Sequence, residues 1–139
     1  MRAIINITGV QGFMQPEQDT IEFVTDGIYC PTETGYQIYY VESELTGLEG
    51  TTTTVDIAPD AVTVERKGML NTRMAFRPGE KTRFLYDTKF GSATMGIETR
   101  SVSASFNDLG GELNIDYVVN MEHTVASRNT LKMSVRLTD

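Results

Sequence analysis

The chain has 139 residues, 40% of them hydrophobic and 22% charged, and its 12 basic and 19 acidic side chains give a formal charge of −7. This length predicts one domain over residues 1–139 with a core of its own. The acidic balance disfavours nucleic acid as a partner, since phosphates require a basic face, and it equally disfavours docking on anionic lipid.

Cysteine usage and hydropathy indicate where the protein works. Cys30 is the single cysteine, so no disulfide can form within the chain. The first ten residues, MRAIINITGV, lack the continuous apolar run of a signal peptide, and no stretch approaches 18 apolar residues. We therefore expect a cytoplasmic protein that does not enter a membrane.

The first half of the chain alternates apolar and polar residues with a period of two, which is typical of half-buried strands. Within the first two runs, Gly9 and Gly12 suggest a bend or bulge, and Asp26-Gly27 suggests either a bulge or a tight turn. Pro59-Asp60 predicts a turn between the last two. The runs are Arg2 to Phe13, Thr20 to Cys30, Tyr36 to Leu45, Thr51 to Ile57 and Val62 to Lys67.

The second half continues the alternation in longer runs. Pro78-Gly79 matches a type II turn, and further turns are predicted at 107–111 and at Ala126 to Asn129. The last three runs are predicted to be antiparallel neighbours, each with one solvated and one buried face. The runs are Met74 with Phe76, Thr82 to Asp87, Ser92 to Phe106, Glu112 to His123, and Leu131 to Thr138.

These elements favour an all-β fold with little or no helix. Only Met14 to Thr20 would accommodate a short helix, because elsewhere Gly or Pro interrupts every helical pattern. About eight to ten antiparallel strands with short turns leave a sandwich or a closed barrel. Closure removes the exposed edges of long strands, so we predict a single up-and-down barrel.

Several short motifs, in order, resemble the DUF1934 or YwiB-like family of uncharacterised bacterial proteins over residues 1 to 137. The resemblance implies a calycin-like, that is lipocalin-like, barrel, and it implies no activity. The motifs are Tyr40, Glu42, Leu45-Thr46-Gly47, Thr52 to Thr54, Arg66-x-Gly68, Met74-x-Phe76, Gly79, Tyr86-x-Thr88-x-Phe90-Gly91, Thr99 and Gly111-x-Leu113-x-Ile115-x-Tyr117.

Parity along two strands predicts an ion pair inside the barrel. Arg66 shares a side with Val62 and Val64, and Glu42 shares a side with Tyr36, Ile38 and Tyr40. Two buried charges must be paired, so we expect them to meet at one end of the barrel, with the hydroxyl of Tyr86 or Tyr117 completing the hydrogen bonds. Arg66 then either anchors an anionic ligand or serves as a structural plug.

The residues expected to line the interior define the candidate ligand site. They are Tyr40, Glu42, Arg66, Met74, Phe76, Tyr86, Thr99 and Tyr117. An eight-stranded barrel either fills its interior with side chains or leaves room for one small ligand, and residue types leave both open.

No motif indicates catalysis, a metal or a cofactor. The lone histidine, His123, has no second histidine or cysteine near it, and no G-x-S-x-G occurs. We therefore predict a monomeric or homodimeric barrel, not an enzyme, that binds a small apolar or anionic molecule. The alternative is a protein-interaction or structural barrel with a filled core.

Overall fold

Ten antiparallel strands form one closed barrel in the computed structural model, which describes residues 1–12, 18–44, 47–121 and 124–138. Each strand pairs with its neighbours in sequence. The strands are β1 (Arg2–Gly12), β2 (Gln18–Pro31), β3 (Tyr36–Val41), β4 (Thr52–Ile57), β5 (Val62–Lys67), β6 (Leu70–Phe76), β7 (Lys81–Thr88), β8 (Gly91–Asn107), β9 (Gly110–Met121) and β10 (Thr124–Leu137).

The first and last strands close the barrel. β1 pairs with β10 in unbroken register from Ala3 opposite Leu137 to Gly12 opposite Arg128. Because every other pairing joins consecutive strands, the topology is up-and-down, and the predicted fold class is confirmed. No helix in the described part of the chain is long and apolar enough to cross a bilayer.

The core follows the period-two pattern of the sequence. Alternate apolar residues point inward and are almost completely shielded, and they include Ile5, Ile38, Val55, Val62, Val64, Ile97, Leu113 and Ile115. We call the end of the barrel where β8 passes into β9 the Gly110 end. The opposite end, where β1 stops at Gly12, contains the cavity described below.

The turn at Pro78-Gly79 forms as predicted. The Glu80 N–H donates to the Arg77 carbonyl at 3.0 Å, and Gly79 has φ of 76°. A positive φ at the third turn position defines type II and favours glycine, while proline presets the second position.

Two β-bulges change which residues face inward. In β8 the register shifts between Thr99 and Ser101, so the inward set continues as Val102, Ala104 and Phe106. In β10 the shift falls between Val125 and Ser127. The predicted turn at Ala126 to Asn129 is wrong, because those residues belong to β10. The pairing between β9 and β10 already begins at Met121 opposite Thr124.

The predicted interruption at Asp26-Gly27 is also wrong. Both residues lie in regular register with Ile4 and Ala3 of β1. Gly27 is required for close approach, since a Cβ there would collide with the Tyr39 carbonyl oxygen. The bend or bulge predicted at Gly9 and Gly12 is absent as well, because β1 keeps continuous register with both of its neighbours.

Three other predictions differ or lie outside the described residues. β3 stops at Val41 instead of continuing to Leu45, and Leu45 itself is not described. Of the segment suggested as a short helix, Gln18 to Thr20 belong to β2 and the rest lies outside the described residues. His123 also lies outside them.

The barrel wall has one weak ladder. β6 and β7 pair only at Leu70 opposite Thr88 and Asn71 opposite Asp87. Further along, the Thr82 hydroxyl donates to the Ala75 carbonyl at 2.9 Å. A side chain therefore bridges the two strands where their backbones no longer pair.

Candidate functional site

A cavity of about 530 Å³ occupies the Gly12 end of the barrel. Its walls come from β1 and from β5 to β10, so it lies within the barrel rather than on its outer surface. The lining side chains are Gln11, Arg66, Leu70, Thr72, Met74, Phe84, Tyr86, Met95, Tyr117, Val119, Met121, Ser127 and Asn129.

A row of polar residues runs straight across four strands at this end, and its members Arg66 and Thr72 line the cavity. Tyr40 of β3 lies opposite Thr53, Thr53 opposite Arg66, and Arg66 opposite Thr72 of β6. Directly opposed residues on one face of a sheet lie within contact distance. The barrel register therefore places three hydroxyls and a guanidinium side by side.

Glu42 completes this row from the chain just beyond β3. Its N–H donates to the Thr51 carbonyl at 2.7 Å, which keeps the chain alongside β4. The Arg66 Nε lies 3.5 Å from Glu42 Oε1, and the two side chains are 23% and 2% exposed. The Thr53 hydroxyl donates to the same carboxylate oxygen at 2.6 Å. The predicted internal ion pair is confirmed, but Thr53 supplies the hydroxyl that had been expected from a tyrosine.

The polar row is not fully satisfied by the described residues. Arg66 Nε is close enough to Glu42 to form an ion pair but lacks hydrogen-bond geometry, and Glu42 Oε2 and the Thr72 and Thr99 hydroxyls have no hydrogen-bond partner among those residues. An unsatisfied buried polar group costs about 1–3 kcal/mol. Of the residues that carry these atoms, Arg66 and Thr72 line the cavity, where hydrogen-bonding groups could pair with them.

A second polar row faces the first across the cavity. Thr99 of β8 lies opposite Tyr117, Tyr117 opposite Asn129, and Asn129 opposite Gln11 of β1. Phe76 packs edge-on against the Tyr117 ring with centroids 4.7 Å apart. This contact fixes the ring at the bottom of the cavity.

Burial raises the pKa of the two tyrosines in these rows. Burial raises the pKa of Tyr40, the Glu42 carboxylate raises it further, and Arg66 and the Thr53 hydroxyl partly oppose the rise. Burial also raises the pKa of Tyr117, against the influence of Arg66. Both phenols thus stay neutral, and both are close enough to Arg66 to be affected by its charge.

Apart from Ser127 and the Tyr86 hydroxyl, the rest of the lining is apolar and adaptable. Met74, Met95 and Met121 line it together with Phe84 and Val119. Methionine side chains are flexible and polarizable, so they adjust to ligands of differing shape. The cavity therefore combines an apolar wall with two polar rows.

Of the eight predicted site residues, four line the cavity and four do not. Arg66, Met74, Tyr86 and Tyr117 line the cavity, with Tyr86 40% exposed at its rim. The other four, Tyr40, Glu42, Phe76 and Thr99, are buried behind the lining.

Sequence reasoning missed several polar members of the site. Thr53 shares parity with Val55 and Ile57, and Thr72 shares it with Met74 and Phe76. A polar residue on an apolar stripe was the available signal, and the same rule identifies Asn129 beside Leu131. Within the described residues no group of three or more His, Cys, Asp or Glu side chains could hold a metal ion.

Comparisons with known proteins identify the fold and the family. A family model described as a domain of unknown function, DUF1934, matches residues 5–133. The crystal structure of the ywiB protein from Bacillus subtilis superposes with a TM-score of 0.88 at 20% identity, covering 99% of this chain and 92% of that one. The comparison with curated proteins gives no match.

Proposed function

We propose, from the premise that this chain belongs to the DUF1934 family, that its barrel binds a small amphipathic molecule with an acidic head group. The observation that carries the proposal is the 530 Å³ cavity at the Gly12 end. Cavities of roughly 300–1,000 Å³ with mostly apolar walls and a few placed polar groups are typical of small-molecule sites.

Arg66 is the residue proposed to bind the head group. A guanidinium carries five N–H donors in a planar fork that suits carboxylate and phosphate oxygens. The Glu42 contact is made at Nε, while the side chain also lines the cavity. The carboxylate would hold the guanidinium in place, and the Thr72 hydroxyl beside it would donate a further hydrogen bond.

The apolar walls define the rest of the ligand. Met74, Phe84, Met95 and Val119 offer no hydrogen-bonding groups, so a polar ligand body would be desolvated there without compensation. A flexible acyl or alicyclic body suits a methionine-rich wall. With its single unpaired Cys30, the protein would act on such a molecule in the cytoplasm.

Decanoate and decanol test the proposal, because the two probes share an alkyl chain and differ in charge. Calorimetric titration of the full chain should show decanoate binding about tenfold more tightly than decanol, as expected for a charge-assisted hydrogen bond. The Arg66→Gln variant should lose this preference, whereas Arg83→Gln, on the exposed face of β7, should keep it.

Val119→Phe provides an independent variant, since its larger side chain would occupy cavity volume without removing a charge. It should weaken both probes equally while circular dichroism shows a folded barrel. Equal binding of both probes to wild type and to Arg66→Gln would refute the head-group assignment. Unchanged binding to Val119→Phe would place the ligand elsewhere.

A second candidate function is protein association through the outer surface. On the outward face of β2 and β3, Val24, Ile28, Tyr39 and Val41 are exposed, and Ile28 lies directly opposite Tyr39. Sedimentation of wild type and Tyr39→Lys over a range of concentrations tests this candidate. A dimer that the lysine abolishes would support it, and monomers throughout would exclude it as a self-association surface.

A further inference from the structure

The far half of β8 forms an open sheet edge at the Gly110 end. β8 pairs with β9 from Gly96 to Asn107, but its ladder with β7 stops at Glu98 opposite Lys81. The next residue, Thr99, bonds to the turn before β7, accepting from Gly79 N–H and donating to the Glu80 carbonyl. From Ser101 to Asn107, no described strand pairs with that side of β8.

The bulge between Thr99 and Ser101 determines which backbone groups of β8 point to this open edge. Residues of one strand whose side chains share a face also direct their N–H and C=O groups to the same side. Thr99 faces inward and bonds across the β7 side, so Val102, Ala104 and Phe106, which face inward after the bulge, direct theirs that way too. Consistently, the Ser105 carbonyl points at Gly111 of β9.

This edge lacks the usual protection against strand addition. Proteins blunt exposed edges with charged side chains, prolines or very short strands. The segment from Ser101 to Phe106 reads SVSASF, with neither charge nor proline. Ser101, Ser103 and Ser105 are small and exposed, so another backbone can approach closely.

A groove of about 310 Å³ lies beside the edge. One side is formed by Val102, Ala104 and Phe106, and the opposite side by Ala58 to Ala61 and Pro78. Tyr36, Ile57 and Val62 also line it, together with the polar Thr34 and Asp60.

Charge on the outer face next to the edge favours a basic occupant. The exposed carboxylates Glu112 and Asp116 on β9 lie opposite Ser105 and Ser101, one strand away from the edge, and they outnumber the exposed Arg100 at its start. An added strand would place alternate side chains over the groove and the others on the outer face, with β8 between them and these carboxylates.

We propose that the open edge of β8 is a binding site for an extended basic segment of a partner polypeptide. The segment adds as a strand, forming backbone hydrogen bonds with Val102, Ala104 and Phe106. It alternates apolar side chains in the groove with lysine or arginine outside, a known mode of peptide recognition. This site is at the opposite end of the barrel from the cavity and is independent of the ligand proposed there.

The test uses the probe peptide acetyl-Lys-Val-Lys-Val-Lys-Val-Lys-amide with isotope-labelled full-length protein. We expect chemical-shift changes and slowed hydrogen exchange at the amides of Val102, Ala104 and Phe106. Ala104→Pro removes one N–H from the open edge. It leaves the β9 ladder intact, because a sheet accepts proline in an edge strand where the missing N–H faces away from the neighbouring strand. It should weaken binding about tenfold, and Ser103→Ala, on the outer face and outside the groove, should bind like wild type.

A peptide methylated on its alternate backbone nitrogens tests the ladder without changing the protein, should the proline variant fail to fold. It should not bind, and a version with Glu in place of Lys should bind more weakly than the original. Full binding of the methylated peptide, or unaffected edge amides despite binding, would overturn the proposal. A concentration-dependent dimer that Ala104→Pro abolishes would also overturn it, since the occupant would then be a second copy.

Discussion

Replacing Arg66 by methionine tests whether the internal ion pair stabilises the barrel. The substitution keeps the approximate length of the side chain and removes its charge, leaving the 2% exposed Glu42 carboxylate with the Thr53 hydroxyl as its hydrogen-bond donor. Breaking a fully buried pair costs about 3–5 kcal/mol.

The expected loss is smaller because this pair is not fully buried. Arg66 is 23% exposed and lines a cavity, so water can approach the orphaned carboxylate. We expect destabilisation of about 2–3 kcal/mol. With an unfolding entropy of about 2.1 cal per mole per kelvin per residue, this corresponds to a fall in Tm of roughly 7–10 °C.

The assay is thermal and urea unfolding of four proteins: wild type, Arg66→Met, Glu42→Gln and the double variant. The double variant should be more stable than Arg66→Met, because a neutral pair leaves no uncompensated charge. Arg83→Met, on the exposed face of β7, serves as the control and should change stability by less than about 0.5 kcal/mol. An unchanged Tm for Arg66→Met, or strictly additive effects in the double variant, would refute the reasoning.

Three further predictions follow from the geometry. Gly27→Ala should cost about 2–3 kcal/mol in urea unfolding, because its Cβ would press on the Tyr39 carbonyl oxygen, whereas Gly9→Ala, with nothing within 4 Å, should be neutral or slightly stabilising. Because burial raises the folded-state pKa of Tyr40, its contribution to stability is complete below the unfolded value of about 10 and falls as pH rises above that value. Tyr40→Phe should therefore lose less stability than wild type between about pH 10 and 11. Thr53→Val should lower stability by about 1–3 kcal/mol, because it removes the donor to the buried carboxylate, and Thr54→Val on the opposite face should change it little; equal losses would contradict this assignment.

Much of the barrel could be predicted from the sequence because its strands alternate regularly. β5 was predicted to the residue, and the parity of Arg66 and Glu42 was enough to pair them. Periodicity works here because the curved sheet has one buried face, and a slip of one residue would expose a whole apolar stripe.

The errors arose where backbone geometry, rather than side-chain pattern, decides the structure. Gly27 looks like a turn residue in sequence, but its role is to let β3 pass closely, which depends on a contact with Tyr39 far along the chain. The bulge after Thr99 is invisible to a period-two count, because it changes that count. Neighbouring strands impose both features.

The candidate site was only partly predictable for a related reason. Parity identifies which side chains face inward, but not which inward residues from different strands share a row. Thr53 and Thr72 flank Arg66 because the register between β4, β5 and β6 places them there. The cavity depends on how much space ten strands enclose, and no local pattern contains that quantity.

The ten-pair seam between β1 and β10 also determines the order in which the molecule can be made. Ala3 pairs with Gly27 on one side, but its partner on the other side is Leu137, so during synthesis on the ribosome β1 keeps one unpaired edge until residue 137 has emerged. Contacts between such distant residues place a protein among the slow two-state folders, with times of milliseconds to seconds. Until that pairing forms, the edge of β1 is open to association with other strands.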